Sequence, residues 1–173
     1  MTDTPRRILV LGGARSGKSR HAEARGAGHR GPKRYIATAE AGDEEMAARI
    51  AAHRADRGAG WETVEAPRDL ASALRAAMAA DAFVLVDCVT VWLSNVMLAE
   101  EDPEAAVAAL LDVLEEARGT VVLVSNEVGL GIVPDNALAR RFRDAAGRAN
   151  QQLAAACDEV VFVAAGLPLT LKG

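Results

Sequence analysis

Eight consecutive residues, Gly12-Gly13-Ala14-Arg15-Ser16-Gly17-Lys18-Ser19, match the pattern G-x-x-x-x-G-K-[ST]. A short apolar run, Ile8 to Leu11, precedes them, and a stretch of helical composition from Gly17 to about Ala27 follows. Glycines at these positions let the chain present a row of backbone N–H groups to phosphate oxygens, and the helix start adds positive potential. In that frame Lys18 reaches the outer phosphates of a nucleotide and the Ser19 hydroxyl ligates Mg²⁺. Asp87 ends a second apolar run, Ala82 to Val86. A carboxylate at the carboxyl end of a neighbouring parallel strand faces the same loop. We expect Asp87 to hold the metal, directly or through water; capping the next helix is its alternative role.

Histidine offers a second chemistry, because a neutral imidazole can attack phosphorus. His29 lies in a Gly-rich turn and is expected to face solvent. His21 follows Lys18 by three residues, so it either approaches the phosphate loop or packs. His53 falls on a helical run from 43 to 56, in step with Met46 and Ile50, with Arg49, Arg54 and Arg57 nearby. Those arginines suit developing negative charge, although the spacing alone also suits a half-buried histidine at the margin of a core.

The elements that must position these residues alternate. Strands are expected at Ile8–Leu11, Arg34–Thr38, Trp61–Val64, Ala82–Val86, Thr120–Val124 and Val160–Val163, with a short edge strand at Leu169–Leu171. Between them run helices 17–27, 43–56 with Asp43 as cap and Gly58 as stop, 67–80, 89–98, 103–117 opened by Asp102-Pro103, and a long one to Ala156 capped by Asp135. Continuous apolar strands alternating with helices mean a parallel sheet wrapped by helices, one α/β domain over residues 1–173. Up to this point the chain reads as a Mg-nucleotide-binding α/β protein.

Composition narrows the partners. Net charge is −4, which disfavours DNA or an anionic membrane, and only six residues are aromatic, which disfavours a stacking platform for single-stranded nucleic acid. Residues 1–35 nonetheless hold nine Lys/Arg against Asp3 and Glu23, the balance expected around a small anion such as phosphate. Cys88 and Cys157 read as buried thiols rather than a disulfide framework, and no Cys/His cluster has zinc spacing. The apolar region Phe83 to Leu98 is broken by Asp87, Ser94 and Asn95, so no membrane span is expected and the location is read as cytoplasmic.

Five segments together carry a resemblance: GGARSGKSRHAE (12–23), YIATAE (35–40), DEEMAARIAAH (43–53), FVLVDCVTVWLSN (83–95) and SNEVGLGIVPDNALARRFRDAAGRANQQLAAACDEV (125–160). They resemble the bifunctional adenosylcobinamide kinase / adenosylcobinamide-phosphate guanylyltransferase family of cobalamin biosynthesis, over residues 6 to about 172. The resemblance implies two reactions: ATP or GTP phosphorylates adenosylcobinamide, and GTP then donates GMP to that phosphate through a GMP–histidine intermediate. It implies a P-loop NTPase fold with a RecA-like, mostly parallel sheet and an antiparallel edge, and a homotrimer. Residue by residue, it implies that Gly12 to Ser19 bind phosphate, that Ala37, Thr38 and Ala39 contact nucleotide, and that His53 is guanylylated. Arg54, Ala55 and Asp56 would line the nucleotide site, and Glu65 and Asp87 would be further nucleotide- or metal-contacting carboxylates. Asp56 and Glu65 are the candidates to orient His53. The stretch Asn126-Glu127-Val128-Gly129 either shapes a substrate pocket or forms a tight turn. Two rival readings use the phosphate loop without guanylyl transfer: a small-molecule kinase, and a nucleotide-dependent regulatory module.

Overall fold

A computed structural model of the chain describes residues 6–42, 44–57 and 59–173, without the side chains of Met46, Arg49, His53, Arg54 and Asp56. The expected cap Asp43 and stop Gly58 lie outside the described residues. In chain order the elements are β1 (Arg6–Gly12), α1 (Lys18–Arg25), β2 (Lys33–Ala37), α2 (Glu44–Arg57), β3 (Trp61–Glu65), α3 (Leu70–Ala77) and β4 (Phe83–Asp87). Then follow α4 (Val89–Leu98), α5 (Pro103–Glu115), β5 (Thr120–Asn126), α6 (Ala137–Ala156), β6 (Glu159–Ala164) and β7 (Leu167–Lys172).

All seven strands join one sheet in the order β3-β2-β4-β5-β1-β6-β7. Strands β1 to β6 pair in parallel, and β7 returns antiparallel to β6. The expected mostly parallel sheet with an antiparallel edge is therefore what the chain forms. The return is a two-residue turn, Ala165-Gly166, with both φ angles positive (52° and 77°), the hand that matches strand twist.

Alternation along each strand splits the core. Leu9, Val84, Val86, Val121 and Leu123 face one side and pack with Leu70, Leu74, Trp92, Leu93, Leu110 and Leu153 from the helices. Ile8, Val10, Leu85, Val122 and Val124 face the other, against Ala22 of α1. Because six strands run the same way, their carboxyl ends collect on one edge. Register sets Gly12 beside Asn126, Asp87 beside Val124, and Ala37 between Glu65 and Asp87. Such an edge is where an open parallel sheet binds ligands.

Several boundaries move from the sequence expectation. The α3 helix begins after the cap Asp69, whose side chain accepts from Ser72 N, so Pro67 and Arg68 stay outside it. Asn136, not Asp135, caps α6: its side chain accepts from Ala139 N at 2.7 Å. Both cysteines are buried and free, as expected, but they sit at helix ends, Cys88 as the cap of α4 and Cys157 at the end of α6. His29 does not simply face solvent; it is half-buried, with Nε2 2.8 Å from the Asp81 carbonyl and its ring tilted against Phe83. Among the described residues no helix is long and apolar enough to cross a membrane.

The cap assignment is testable. Asn136→Ala should cost about 1 kcal/mol of stability in urea unfolding, and Asp135→Ala should change it by less than about half of that.

Candidate nucleotide and phosphoryl-transfer site

The phosphate loop turns back sharply where β1 ends. A Cβ at Gly12 would stand 2.5 Å from Ser16 Oγ and 2.6 Å from the Val163 carbonyl, so only glycine fits there. Ser16 N donates to Gly13 O at 3.3 Å, and Ser16 O accepts from Gly166 N at 2.8 Å, which pins the loop to the β6–β7 turn. Gly17 takes the left-handed conformation at φ 94° and opens α1 without a side-chain cap. By contrast α3, α4, α5 and α6 each begin under a side-chain acceptor: Asp69, Cys88, Asp102 and Asn136. The first N–H groups of α1 are thus left to an outside acceptor, and the loop offers an anion the positive end of the helix.

Lys18 is only 9% exposed, and its ammonium donates to Gly13 O at 3.0 Å, inside the curl of the loop. Ser16 Oγ is buried with no partner, and a Cβ at Gly13 would meet nothing, so the curl holds both an orphaned hydroxyl and open room. Ser19 is half-buried in the first turn; Ala14 and Arg15 are exposed.

Asp87 sits two strands from the loop, across β5, half-buried. Its Oδ2 accepts from the Tyr35 hydroxyl at 3.1 Å. Burial and the Asp87 charge push the Tyr35 phenol well above its ordinary range, so it stays protonated and donates. Burial, then Asp87, pushes the Cys88 thiol up to about 11 against a smaller opposing pull from Lys18, so it is a neutral thiol at pH 7. A hydroxyl and a carboxylate are hard oxygen donors. Together with substrate phosphates and water they fit Mg²⁺, which asks for only one or two protein ligands.

Thr38 is hydrogen-bonded within the fold. It is 0% exposed; its hydroxyl donates to Cys88 O at 2.8 Å and accepts from Cys88 N at 2.9 Å. Its N–H donates to Asp87 O, and its carbonyl accepts from Asn95 Nδ2 at 2.9 Å. Thr38 therefore stitches the carboxyl ends of β2 and β4, while its neighbours Ala37 and Ala39 are half-buried at the same edge. A second buried network holds β5: Asn126 N donates to Thr90 Oγ1, Ser125 Oγ donates to Asn150 Oδ1, and Asn150 Nδ2 donates to Asn126 O. Glu127 N then donates to Gly12 O, so the turn at Asn126-Glu127 is joined to the phosphate loop.

The α2 helix spans positions 53 to 56. The side chains of His53, Arg54 and Asp56 lie outside the described residues; Ala55 is exposed. Arg57, the last residue of α2, lays its guanidinium 3.3 Å from the centroid of the Tyr35 ring. Glu65 is exposed at the end of β3, two strands beyond Asp87. His21 is half-buried; burial, then Arg25, lowers its pKa, and its Nε2 is buried without a partner. The structure thus brings Gly12, Ser16, Lys18 and Asp87 to one sheet edge and leaves Glu65 on its flank. Tyr35 and Arg57 are the members the sequence did not announce as a pair. Tyr35 is the only tyrosine of the chain, but nothing in its spacing names Asp87 as its partner.

The family model described as cobinamide kinase / cobinamide phosphate guanyltransferase matches residues 8–171. The chain belongs to this family. It is 51% identical over 170 residues to a bifunctional adenosylcobalamin biosynthesis protein, CobP, of Pseudomonas aeruginosa, covering 96% of this chain and 98% of that one. It is 47% identical over 180 residues to the CobU protein of the same description from Salmonella typhimurium, covering 95% and 99%. The CobU protein of Escherichia coli is 44% identical with the same coverage. Among solved structures, an ATPase of a bacterial type III secretion system aligns with a TM-score of 0.56 at 14% identity, over 95% of this chain and 56% of that one. That likeness speaks for the fold, and with the sheet order it bears out the RecA-like P-loop architecture.

Two substitutions separate frame from site. Thr38→Val leaves a buried Cys88 N–H unpaired and should cost about 1–3 kcal/mol in urea unfolding. Gly12→Ala forces Ser16 or β6 aside, and titration calorimetry should show GTP affinity falling at least about tenfold, a loss of about 1.4 kcal/mol.

Proposed function

We propose that the family's two reactions share one phosphate loop, and that His53 carries GMP between GTP and the corrinoid. The chain is a cobinamide kinase and cobinamide-phosphate guanylyltransferase by family. The observation that carries the shared site is the uncapped start of α1 at the same sheet edge as Asp87. In the kinase step the aminopropanol oxygen of adenosylcobinamide attacks the γ-phosphorus of ATP or GTP. The bond to the β,γ-bridging oxygen breaks, the nucleoside diphosphate leaves, and the hydroxyl proton is released. Lys18 and the loop N–H groups neutralise charge on the phosphates as it shifts. In the second reaction an unprotonated nitrogen of His53 attacks the α-phosphorus of GTP and pyrophosphate leaves. A phosphate oxygen of the first product then attacks the same phosphorus, the P–N bond breaks, and adenosylcobinamide-GDP forms. One hard transfer becomes two easier ones.

Mg²⁺ when bound supplies charge neutralisation between the phosphate oxygens. Ser19 and Asp87 are the residues we assign to it, and the Tyr35 hydroxyl on Oδ2 leaves the other carboxylate oxygen for the ion. For the partners we propose a homotrimer. Its support here is apolar surface without cover in the single chain: Leu167, Leu169 and Leu171 on the edge strand, and Leu130 and Ile132 in the 127–134 loop, the last 97% exposed. Cytoplasm is the location we assign, with the biosynthetic role of the family as its support.

Incubation with GTP and Mg²⁺ followed by intact-mass measurement tests the carrier. The parent should gain the mass of GMP in an acid-labile, base-stable linkage. His53→Ala should lose both the adduct and guanylyl transfer, yet still accumulate adenosylcobinamide phosphate. GMP located on His21, or parent-rate transfer by the His53 variant, would sink the assignment. Lys18→Ala should weaken nucleotide binding by about 1.5–3 kcal/mol and slow both reactions.

A further inference from the structure

Helix α2 meets the sheet through Arg57 at its carboxyl end. Among its described side chains only Ile50 and Arg57 are even half-buried; Glu44, Glu45, Ala47, Ala48, Ala51, Ala52 and Ala55 are exposed. At its carboxyl end, however, Arg57 stacks its guanidinium 3.3 Å above the Tyr35 ring. That ring is 5% exposed and braced on another side by Trp61, edge to face at 6.2 Å. From β2 its hydroxyl reaches Asp87 Oδ2 at the end of the neighbouring β4, 3.1 Å away. One rigid side chain therefore touches both the helix that contains position 53 and the carboxylate at the end of β4.

We propose that Tyr35 and Arg57 are positioning residues that tie helix α2 to the metal-binding end of β4, the Tyr35 hydroxyl setting the Asp87 rotamer and the Tyr35 ring seating Arg57. The inference rests on the assignments above of Asp87 to the metal and His53 to GMP. Its physical content divides cleanly in two. The hydroxyl fixes a metal ligand from behind, as outer hydrogen bonds do at metal sites. The ring face holds a cation that is shielded on one side by the protein, where the attraction exceeds that of an exposed pair. The first contact serves both reactions, because both use the metal. The second serves guanylyl transfer, because only that reaction uses position 53.

The test crosses the two contacts. GMP adduct formation from GTP and phosphorylation of adenosylcobinamide by ATP are each measured across a Mg²⁺ series. The proteins are the parent, Tyr35→Phe, Arg57→Gln, Arg57→Lys and, as control, His53→Ala. Tyr35→Phe keeps the ring and loses the hydroxyl. It should raise the Mg²⁺ concentration for half-maximal rate about tenfold in both reactions, with their ratio at saturating Mg²⁺ unchanged. Arg57→Gln should slow adduct formation about fivefold relative to phosphorylation, at the parent's Mg²⁺ midpoint, and Arg57→Lys should recover most of that loss. A merely structural role would move both rates together and would not be rescued by lysine. Parent-like Mg²⁺ dependence in Tyr35→Phe overturns the hydroxyl half, and equal slowing of both reactions by Arg57→Gln overturns the ring half. An adduct that survives in His53→Ala removes the carrier assignment, and the ring half falls with it; the Mg²⁺ shift of Tyr35→Phe still decides the hydroxyl half. Thermal melts of each variant exclude unfolding as the cause, and the Arg57 pair, near the surface, decides the ring half even if Tyr35→Phe melts early.

Discussion

The site depends on how closely the chain can fold back on itself at Gly12. The carbonyl of Val163 and the hydroxyl of Ser16 occupy the space a Cβ would need. That approach lets the loop curl over the end of β1, so that Lys18 points into the curl and α1 starts directly above the sheet edge. A side chain at position 12 would lift the loop and carry the helix start with it. The positive end of α1 would then no longer coincide with the carboxyl ends of β4 and β5. Anion binding here is first a matter of backbone packing and only then of charge.

Around that loop the polar groups divide between holding and acting. Thr38 and Asn95 satisfy the backbone where β2 and β4 end, and Thr90, Ser125 and Asn150 do so where β5 ends. These hydroxyls and amides are buried and paired, so they cost little and fix the edge in one arrangement. Among the described residues, the loop itself carries an orphaned hydroxyl, Ser16 Oγ, and the uncapped start of α1; His21 Nε2, one turn further along α1, is also buried without a partner. A frame with its own polar groups satisfied and a loop that leaves its donors open is the pattern expected of a site that lends its hydrogen bonds to a ligand.

The sequence made the loop and the sheet legible because both are locally encoded. Glycine spacing reports a backbone path, and runs such as FVLVD report burial on both faces. Helix ends are less legible where two capping residues stand side by side: Asp135 and Asn136 are equally good in sequence, and in the structure the asparagine side chain accepts from Ala139 N. Nucleotide contact at Thr38 is implied by family likeness alone; that its hydroxyl pairs with Cys88, fifty residues away in sequence, emerges only once β2 and β4 lie together. The Tyr35–Asp87 and Arg57–Tyr35 contacts were hidden for the same reason. His53 rests on family likeness rather than on spacing, and its side chain lies outside the described residues.

The two faces of the sheet are built unequally, and the chemistry explains why that suits the enzyme. Four helices and most of the large apolar side chains cover one face, which fixes the strand ends to within the tolerance phosphoryl transfer needs. The other face has a smaller core, with α1 against it and α2 resting over Tyr35. A kinase step requires an external hydroxyl at the γ-phosphorus, whereas guanylyl transfer requires an internal nitrogen at the α-phosphorus. A nucleophile built into the rigid face would occupy the approach in both reactions. On the assignment proposed above, position 53 lies on α2 at the other face, where Arg57 meets the Tyr35 ring. The face with the larger core thus serves the chemistry common to both reactions, and on the proposed assignment α2 on the other face carries the step that distinguishes them.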